Sequence, residues 1–285
     1  MTELLSEANA KIDEGHLEDV NKVTPELIET ILKEKIKNGK SDPEFDITTD
    51  SLKQAPKELS THLSIFFKAS LIHGYMPSEL LMCAIIPLVK DKNGKIDDSN
   101  NYRGIGLSCL ILKIFDWLIL ILYDKELETD QNQFGFQAKS SCPMLSWTVI
   151  ELVNTFARSG SPVYACLLDY RKAFDFVNHR RMFKNLMMRK VSLIFLRLLM
   201  MIYIYQKCYV KWIQTRSYSF NVTNGTRQGA VFSPKGGFST YLDDLVGDLR
   251  NSGHGLQFGL HWYGALLWAD DVILPSTSLQ DLCFV

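Results

Sequence analysis

The chain has 285 residues, 46% of them hydrophobic and 22% charged, with a net charge of −1 and an isoelectric point near 6.6. That length suits one large domain or two modest ones with a real core, and the charge excludes the strongly basic balance of a typical nucleic-acid binder unless charge is locally segregated. The six cysteines (Cys83, Cys109, Cys142, Cys166, Cys208, Cys283) are scattered, with no CxxC and no paired histidine spacing, which excludes a zinc pattern and fits reduced thiols.

Met1 to Asp19 is polar and acidic, with no signal-peptide core, so the expected location is intracellular, in cytoplasm or nucleus. Residues 1–22 are expected to fray. Thr24-Pro25-Glu26 starts a helix with a Thr cap and Pro in the first turn; Leu27, Ile28, Ile31, Leu32 and Ile36 give it an apolar face, and Asn38-Gly39 ends it. Lys40 to Asp50 reads as a polar loop, and a second helix runs from Leu59 to about Ile72, ending at His73-Gly74. Cys83 to Val89 reads as a strand leading to Lys90 and the turn 91–95, after which Tyr102-Arg103-Gly104-Ile105 opens the apolar helix Leu110–Tyr123. Lys90 and Arg103 bracket that turn, either as phosphate-holding cations or as ordinary solvated ones.

Gln133-Phe134-Gly135-Phe136-Gln137 is a compact aromatic-glycine element, and Ser140-Ser141 with Pro143 caps a helix to about Arg158. Val163 to Leu168 reads as a buried strand ending on Asp169, and Lys172-Ala173-Phe174-Asp175 leads into a helix through Met182, Phe183, Leu186 and Met187. Ile194 to Tyr205 is a buried helix, and Cys208–Ile213 with Tyr218–Val222 looks like a hairpin. A polar loop, 226–229, precedes a helix start at Ser233-Pro234. Ile111–Tyr123, with Lys113 and Asp116, and Val191–Tyr205, with Arg197, fall short of the ~20 apolar residues of a membrane span and read as core helices of a soluble chain.

Asp270-Asp271 sits between the apolar runs Ala265-Leu266-Leu267 and Val272-Ile273-Leu274, at the tight turn of a hairpin. An exposed Asp-Asp turn is ordinary chemistry. Asp169, at a strand end 101 positions before Asp270, changes that reading. Strands that each present carboxylate at an end can hold divalent metals, hard cations that favour oxygen.

Five elements, in this order, resemble the reverse transcriptase domain of non-LTR (LINE-type) retrotransposons. They are Ile85–Lys90 with Tyr102–Ile105, then Gln133–Phe136, then Leu168–Asp175, then Arg227-Gln228-Gly229 with Ser233-Pro234, and lastly Ala269-Asp270-Asp271. The resemblance implies an α+β right-hand polymerase of fingers and palm, the palm an antiparallel sheet backed by helices, with the thumb absent. It implies an N-terminal helical segment, 1–70, leading into the fingers, and a reverse transcriptase domain over 71–285. The implied activity is RNA-directed DNA polymerisation, with an RNA template, a DNA primer and deoxynucleoside triphosphates as partners and no membrane. Two Mg²⁺ ions, with Mn²⁺ as a substitute, are implied at Asp169, Asp270, Asp271 and the backbone carbonyl of Tyr170. Lys90 and Arg103 match the residues gripping the triphosphate, Phe174 the aromatic that excludes ribonucleotides, and Gln228 and Gly229 the loop under the incoming nucleotide.

Tyr241-Leu242-Asp243-Asp244 looks like the catalytic turn of retroviral relatives but lies only 14 residues after Gly229, before a polar, helix-like flank; it is assigned no catalysis. The chain departs from the family at Gly104 (usually Pro), Asp116 (usually Glu) and Gln137 (often Arg). It also has six residues instead of five between Ser233-Pro234 and Tyr241, within which lie Gly236 and Gly237. A non-catalytic, degenerate retroelement fragment that at most binds nucleic acid is the alternative reading. An RNA-dependent RNA polymerase is disfavoured, because that class usually has Gly before its Asp pair.

Overall fold

The computed structural model describes residues 1–170 and 172–284; Arg171, from the Asp169 motif, lies outside the described residues. From the N-terminus, α1 (Thr2–Ala10) and α2 (Glu14–Glu18) precede α3 (Pro25–Thr30), capped by the Thr24 hydroxyl at the Leu27 N–H and prolonged by a π turn, Ile31–Lys35. α4 (Thr49–Gln54) and α5 (Glu58–His73) follow, α5 stopping where Gly74 turns left-handed. β1 (Met82–Val89) and β2 (Tyr102–Ser108) form a hairpin ahead of α6 (Leu110–Leu122). α7 (Cys142–Arg158), capped by Ser141, leads to β3 (Tyr164–Asp169), α8 (His179–Met188) and α9 (Leu193–Tyr205). Next come β4 (Lys207–Trp212), β5 (Thr215–Arg216) and β6 (Phe220–Asn221), a π segment Ser233–Ser239, and α10 (Thr240–Asn251). The short pair β7 (Gln257–Phe258) and β8 (His261–Trp262) precedes β9 (Leu266–Trp268), β10 (Asp271–Ser276) and α11 (Leu279–Phe284).

The chain divides into two units. The first comprises Met1–Glu126 and Asn178–Ser233. Its sheet runs β2-β1-β4-β5, with β6 also on β4; β1 and β4 are parallel and the other pairs antiparallel. Phe67 of α5, Phe115 of α6 and Phe195 of α9 stack in series at 5.9 and 6.3 Å, all fully buried. Burying one such side chain contributes about 1.5–3 kcal/mol, so this stack helps tie α5, α6 and α9 together. The N-terminus is not frayed as its polar composition suggests. Leu4 and Ala8, four apart and so on one helical face, are buried, and α1 packs on α9. Tyr102–Ile105 does not open a helix either. It begins the strand Tyr102–Ser108, whose two glycines, Gly104 and Gly106, disfavour helix and which pairs with β1 from Val89↔Tyr102 to Cys83↔Ser108.

The second unit comprises Leu127–Val177 and Pro234–Val285. Its sheet is antiparallel, in the order β3-β10-β9. On the outer side of β9, Gln133 bridges in parallel to Leu267, and the Phe134 N–H donates to the Leu267 carbonyl at 2.8 Å. Alternation sends Leu266 and Ile273 toward Leu145 and Leu152 of α7, and Leu267, Val272 and Leu274 toward Val246 of α10. β9 and β10 are buried on both faces and read as continuous apolar runs, whereas β3 is not the buried strand its apolar run suggests, since Ala165 and Leu167 face solvent. The surplus residue before Tyr241 falls in the π segment Ser233–Ser239. A π turn closes each hydrogen bond over one more residue than an α turn, so it absorbs a single insertion without rotating the helix beyond it.

Candidate active site

Asp169 closes β3 and Asp271 opens β10, and the register sets them directly opposite one another. Directly opposed residues share a face, with Cβ atoms about 4.5–5.5 Å apart, and two like charges so placed repel. The hairpin turn between β9 and β10 has two residues, Ala269 and Asp270, so the acidic pair is split: Asp270 lies in the turn and Asp271 in the strand. Ala269 takes φ +57°, a left-handed conformation that L-residues adopt at a cost. Asp169 and Asp271 are exposed and Asp270 half-buried; Tyr170, immediately after β3, is exposed. Among the described residues, none of the three carboxylates has a side-chain hydrogen bond or ion pair.

This donor set suits a hard divalent ion, because repulsion between opposed carboxylates is relieved by a cation bound by oxygen. Among the described residues, no group of three or more His, Cys, Asp or Glu side chains closes into a metal cage. Mg²⁺ seldom needs one, since it is commonly held by one or two carboxylates together with substrate phosphates. An open apolar trough of about 410 Å³ borders Asp271, lined by Leu145, Val149 and Ile150 of α7 with Trp268 and Ile273 of the sheet.

Phe174 lies in a short 3₁₀ turn, Ala173–Asp175, after a left-handed Lys172. Its half-buried ring stacks on the buried Phe238 at 4.1 Å and 20°, and meets Phe136 edge-on at 6.0 Å. Phe238 belongs to the π segment, so that segment backs the Phe174 ring. The Asp243-Asp244 pair lies on α10, where Asp243 accepts the Asp130 N–H at 3.2 Å.

The remaining candidates belong to the first unit. Lys90 follows β1, where its ammonium donates to the Asn100 carbonyl at 3.0 Å, and Arg103 faces solvent opposite Leu88 in the ladder. Gln228 and Gly229 lie against β2. A Cβ on Gly229 would stand 2.0 Å from the Gly106 carbonyl oxygen, and φ at Gly229 is +73°, so only glycine fits there. Ser108 donates to the Gly229 carbonyl at 3.1 Å.

Beneath this loop, Arg227 is buried against Asp116, one guanidinium nitrogen donating to both carboxylate oxygens at 3.1 Å. Asp116 also accepts the Val231 N–H at 2.8 Å, so one carboxylate ties both ends of the loop 227–231 to α6. Burial pushes the Asp116 carboxyl up, against the pull of Arg227 and the nearby N–H groups. In the sequence Arg227 stands in a motif and Asp116 is a charge inside the apolar run 110–122 and a departure from the family; that buried carboxylate is the signal that calls for a cationic partner, though it does not say which one.

The β9–β10 hairpin, with Asp270 in its turn and Asp271 opening β10, thus lies antiparallel against a strand that ends in a third aspartate. Over residues 89–283 the chain matches the family described as "Reverse transcriptase (RNA-dependent DNA polymerase)", and it belongs to that family. It is similar to the "Retrovirus-related Pol polyprotein from type-1 retrotransposable element R2" of Nasonia vitripennis, 23% identical over 216 residues, covering 76% of this chain and 21% of that protein. It is also similar to the "Probable RNA-directed DNA polymerase from transposon X-element" of Drosophila melanogaster, 27% identical over 158 residues, 54% of this chain and 17% of that protein. The chain thus spans about a fifth of these relatives' length. The resemblance to non-LTR reverse transcriptases holds, and no helix of the described residues is long and apolar enough to cross a membrane.

Proposed function

We propose that this domain performs RNA-directed DNA synthesis by two-metal nucleotidyl transfer to a primer 3′-hydroxyl, with the β3-β10-β9 sheet as palm and the β1–β2 hairpin in the fingers. The observation that carries the reading is the opposed pair Asp169 and Asp271, beside Asp270 in the turn. Asp169, Asp270, Asp271 and the Tyr170 carbonyl would hold the ions, Mg²⁺ or in its place Mn²⁺. When bound, such ions lower the pKa of the attacking hydroxyl and neutralise the triphosphate and leaving pyrophosphate.

The chain's own side chains supply position. Lys90 and Arg103 offer cations to triphosphate oxygens. Gln228 and Gly229 give a closely packed backbone surface beneath the incoming nucleotide and its template partner. Phe174 presents a ring to the sugar 2′-carbon, and Phe238 behind it limits how far that ring can retreat.

The test is primer extension on an RNA template by the full chain, with Mg²⁺ and with Mn²⁺, alongside the Asp270→Asn variant. Metal-dependent DNA synthesis abolished by that substitution supports the reading. Synthesis indifferent to it would sink the assignment of the acidic turn.

A further inference from the structure

The hairpin that carries Asp270 and Asp271 is held along both edges. On one edge β3 pairs with β10; on the other lies the segment 132–135, whose Gln133 has a structural job that its motif alone does not disclose. Gln133 is 1% exposed, and its amide makes three hydrogen bonds. Oε1 accepts the Ala269 N–H at 3.1 Å and the Gly135 N–H at 2.8 Å, while Nε2 donates to the Ala269 carbonyl at 3.3 Å. One side chain thus grips both polar groups of the residue before Asp270. Gly135 lets the grip close, since a Cβ there would lie 2.3 Å from the Ala269 nitrogen. Ala269 is also the strained residue of the turn, at φ +57°. A backbone held in a sparsely populated region persists only where its surroundings over-determine it.

We propose that Gln133 is a positioning residue for the acidic turn: its amide locks Ala269 in the left-handed conformation and thereby sets where Asp270 and Asp271 present their carboxylates. This role rests on the metal-binding reading of those aspartates. Gln133 touches neither carboxylate; it acts through the Ala269 backbone. A buried amide is suited to this because it offers donor and acceptor on one rigid plane, and the N–H and C=O of one residue require both.

Two measurements on the full chain test it. The first is amide hydrogen exchange at Ala269, with Val272 in β10 as the internal reference. Gln133→Met fills the same volume without hydrogen bonds, and Ala269 exchange is expected to rise about tenfold or more relative to Val272. Gln133→Glu keeps the acceptor and loses the donor, so Ala269 should fall between wild type and the Met variant. A side chain that merely fills space would leave Ala269 as protected in the Met variant as in wild type, which would overturn the proposal. Should the Met variant fail to fold, the Glu variant decides alone, and Ala269 protection equal to wild type in that folded variant overturns it, since the donor to the Ala269 carbonyl would then be dispensable.

The second measurement is Mn²⁺ affinity by electron paramagnetic resonance, with no nucleic acid present. Gln133→Met is expected to weaken Mn²⁺ several-fold, on the order of tenfold, and Asp270→Asn to abolish the site. Mn²⁺ binding that responds to Asp270→Asn but not to Gln133→Met overturns the positioning role and leaves the metal reading standing. Mn²⁺ binding that ignores Asp270→Asn sinks the metal reading, and the positioning role with it.

Discussion

Ala269 concentrates, in one residue, the cost of placing Asp270 at a hairpin tip. A left-handed alanine is strained by about 1–2 kcal/mol relative to a glycine that adopts the conformation freely. Ala269→Gly is therefore expected to stabilise the protein by about 1 kcal/mol, read as a higher urea midpoint at unchanged slope. An unchanged or lower midpoint would mean that the methyl group's packing outweighs the strain. Phe174 makes a different prediction. Phe174→Val removes the ring between Phe136 and Phe238, so an active enzyme should admit ribonucleotides while keeping most deoxynucleotide incorporation, a loss of steric exclusion. Discrimination that survives the change would reduce Phe174 to a packing residue. At this scale the aspartates were legible in sequence because two are covalent neighbours and the third ends an apolar run. Gln133 was legible only as part of a motif, since a side chain that grips a backbone 136 positions away leaves no local pattern.

Elements were readable where local chemistry dictates them. Thr24, Ser141 and Gly74 mark the helix ends that their side chains, or lack of one, predict. β2 was missed because Tyr102-Arg103-Gly104-Ile105 owes its strand state to β1 rather than to its own composition, and α1 because two buried residues in nine suffice to anchor it. The loop 227–231 depends on a charge hidden inside α6. Asp116→Asn would leave Arg227 buried without its counter-charge, at a cost of about 3–5 kcal/mol measured by denaturation. A loss below ~1 kcal/mol would show that water or another group satisfies the guanidinium. The π segment yields a prediction of opposite sign. Deleting Gly237 lets the segment return to α geometry and removes a residue that costs ~1 kcal/mol in a helix, so thermal stability should rise while Phe238 keeps its stack on Phe174.

For the molecule as a whole, pH sensitivity begins at His179. It is buried, with Nε2 2.6 Å from the Gly225 carbonyl oxygen, and burial lowers its pKa below the ordinary 6.5. The unfolded chain therefore takes up the proton first as pH falls. The stabilisation is complete above 6.5 and is lost as pH drops through the lower folded value. His179→Gln should flatten the decline in unfolding free energy as pH falls below 6.5, and an unaltered slope would assign that decline to other groups. Chain order also carries a consequence for how the second unit is made. Its early piece supplies β3 and the segment 132–135, and its late piece supplies β9 and β10, the hairpin that slots between them. A nascent chain leaving the ribosome thus exposes a vacant berth between two stretches of backbone until residue 276 has emerged, with the whole of α8 to α10 synthesised in the interval. Such distant pairing is slow, and the berth is an open invitation to strands from other chains. Translation speed across 178–276, and a chaperone able to shield β3, should therefore govern how much of this protein reaches its folded state.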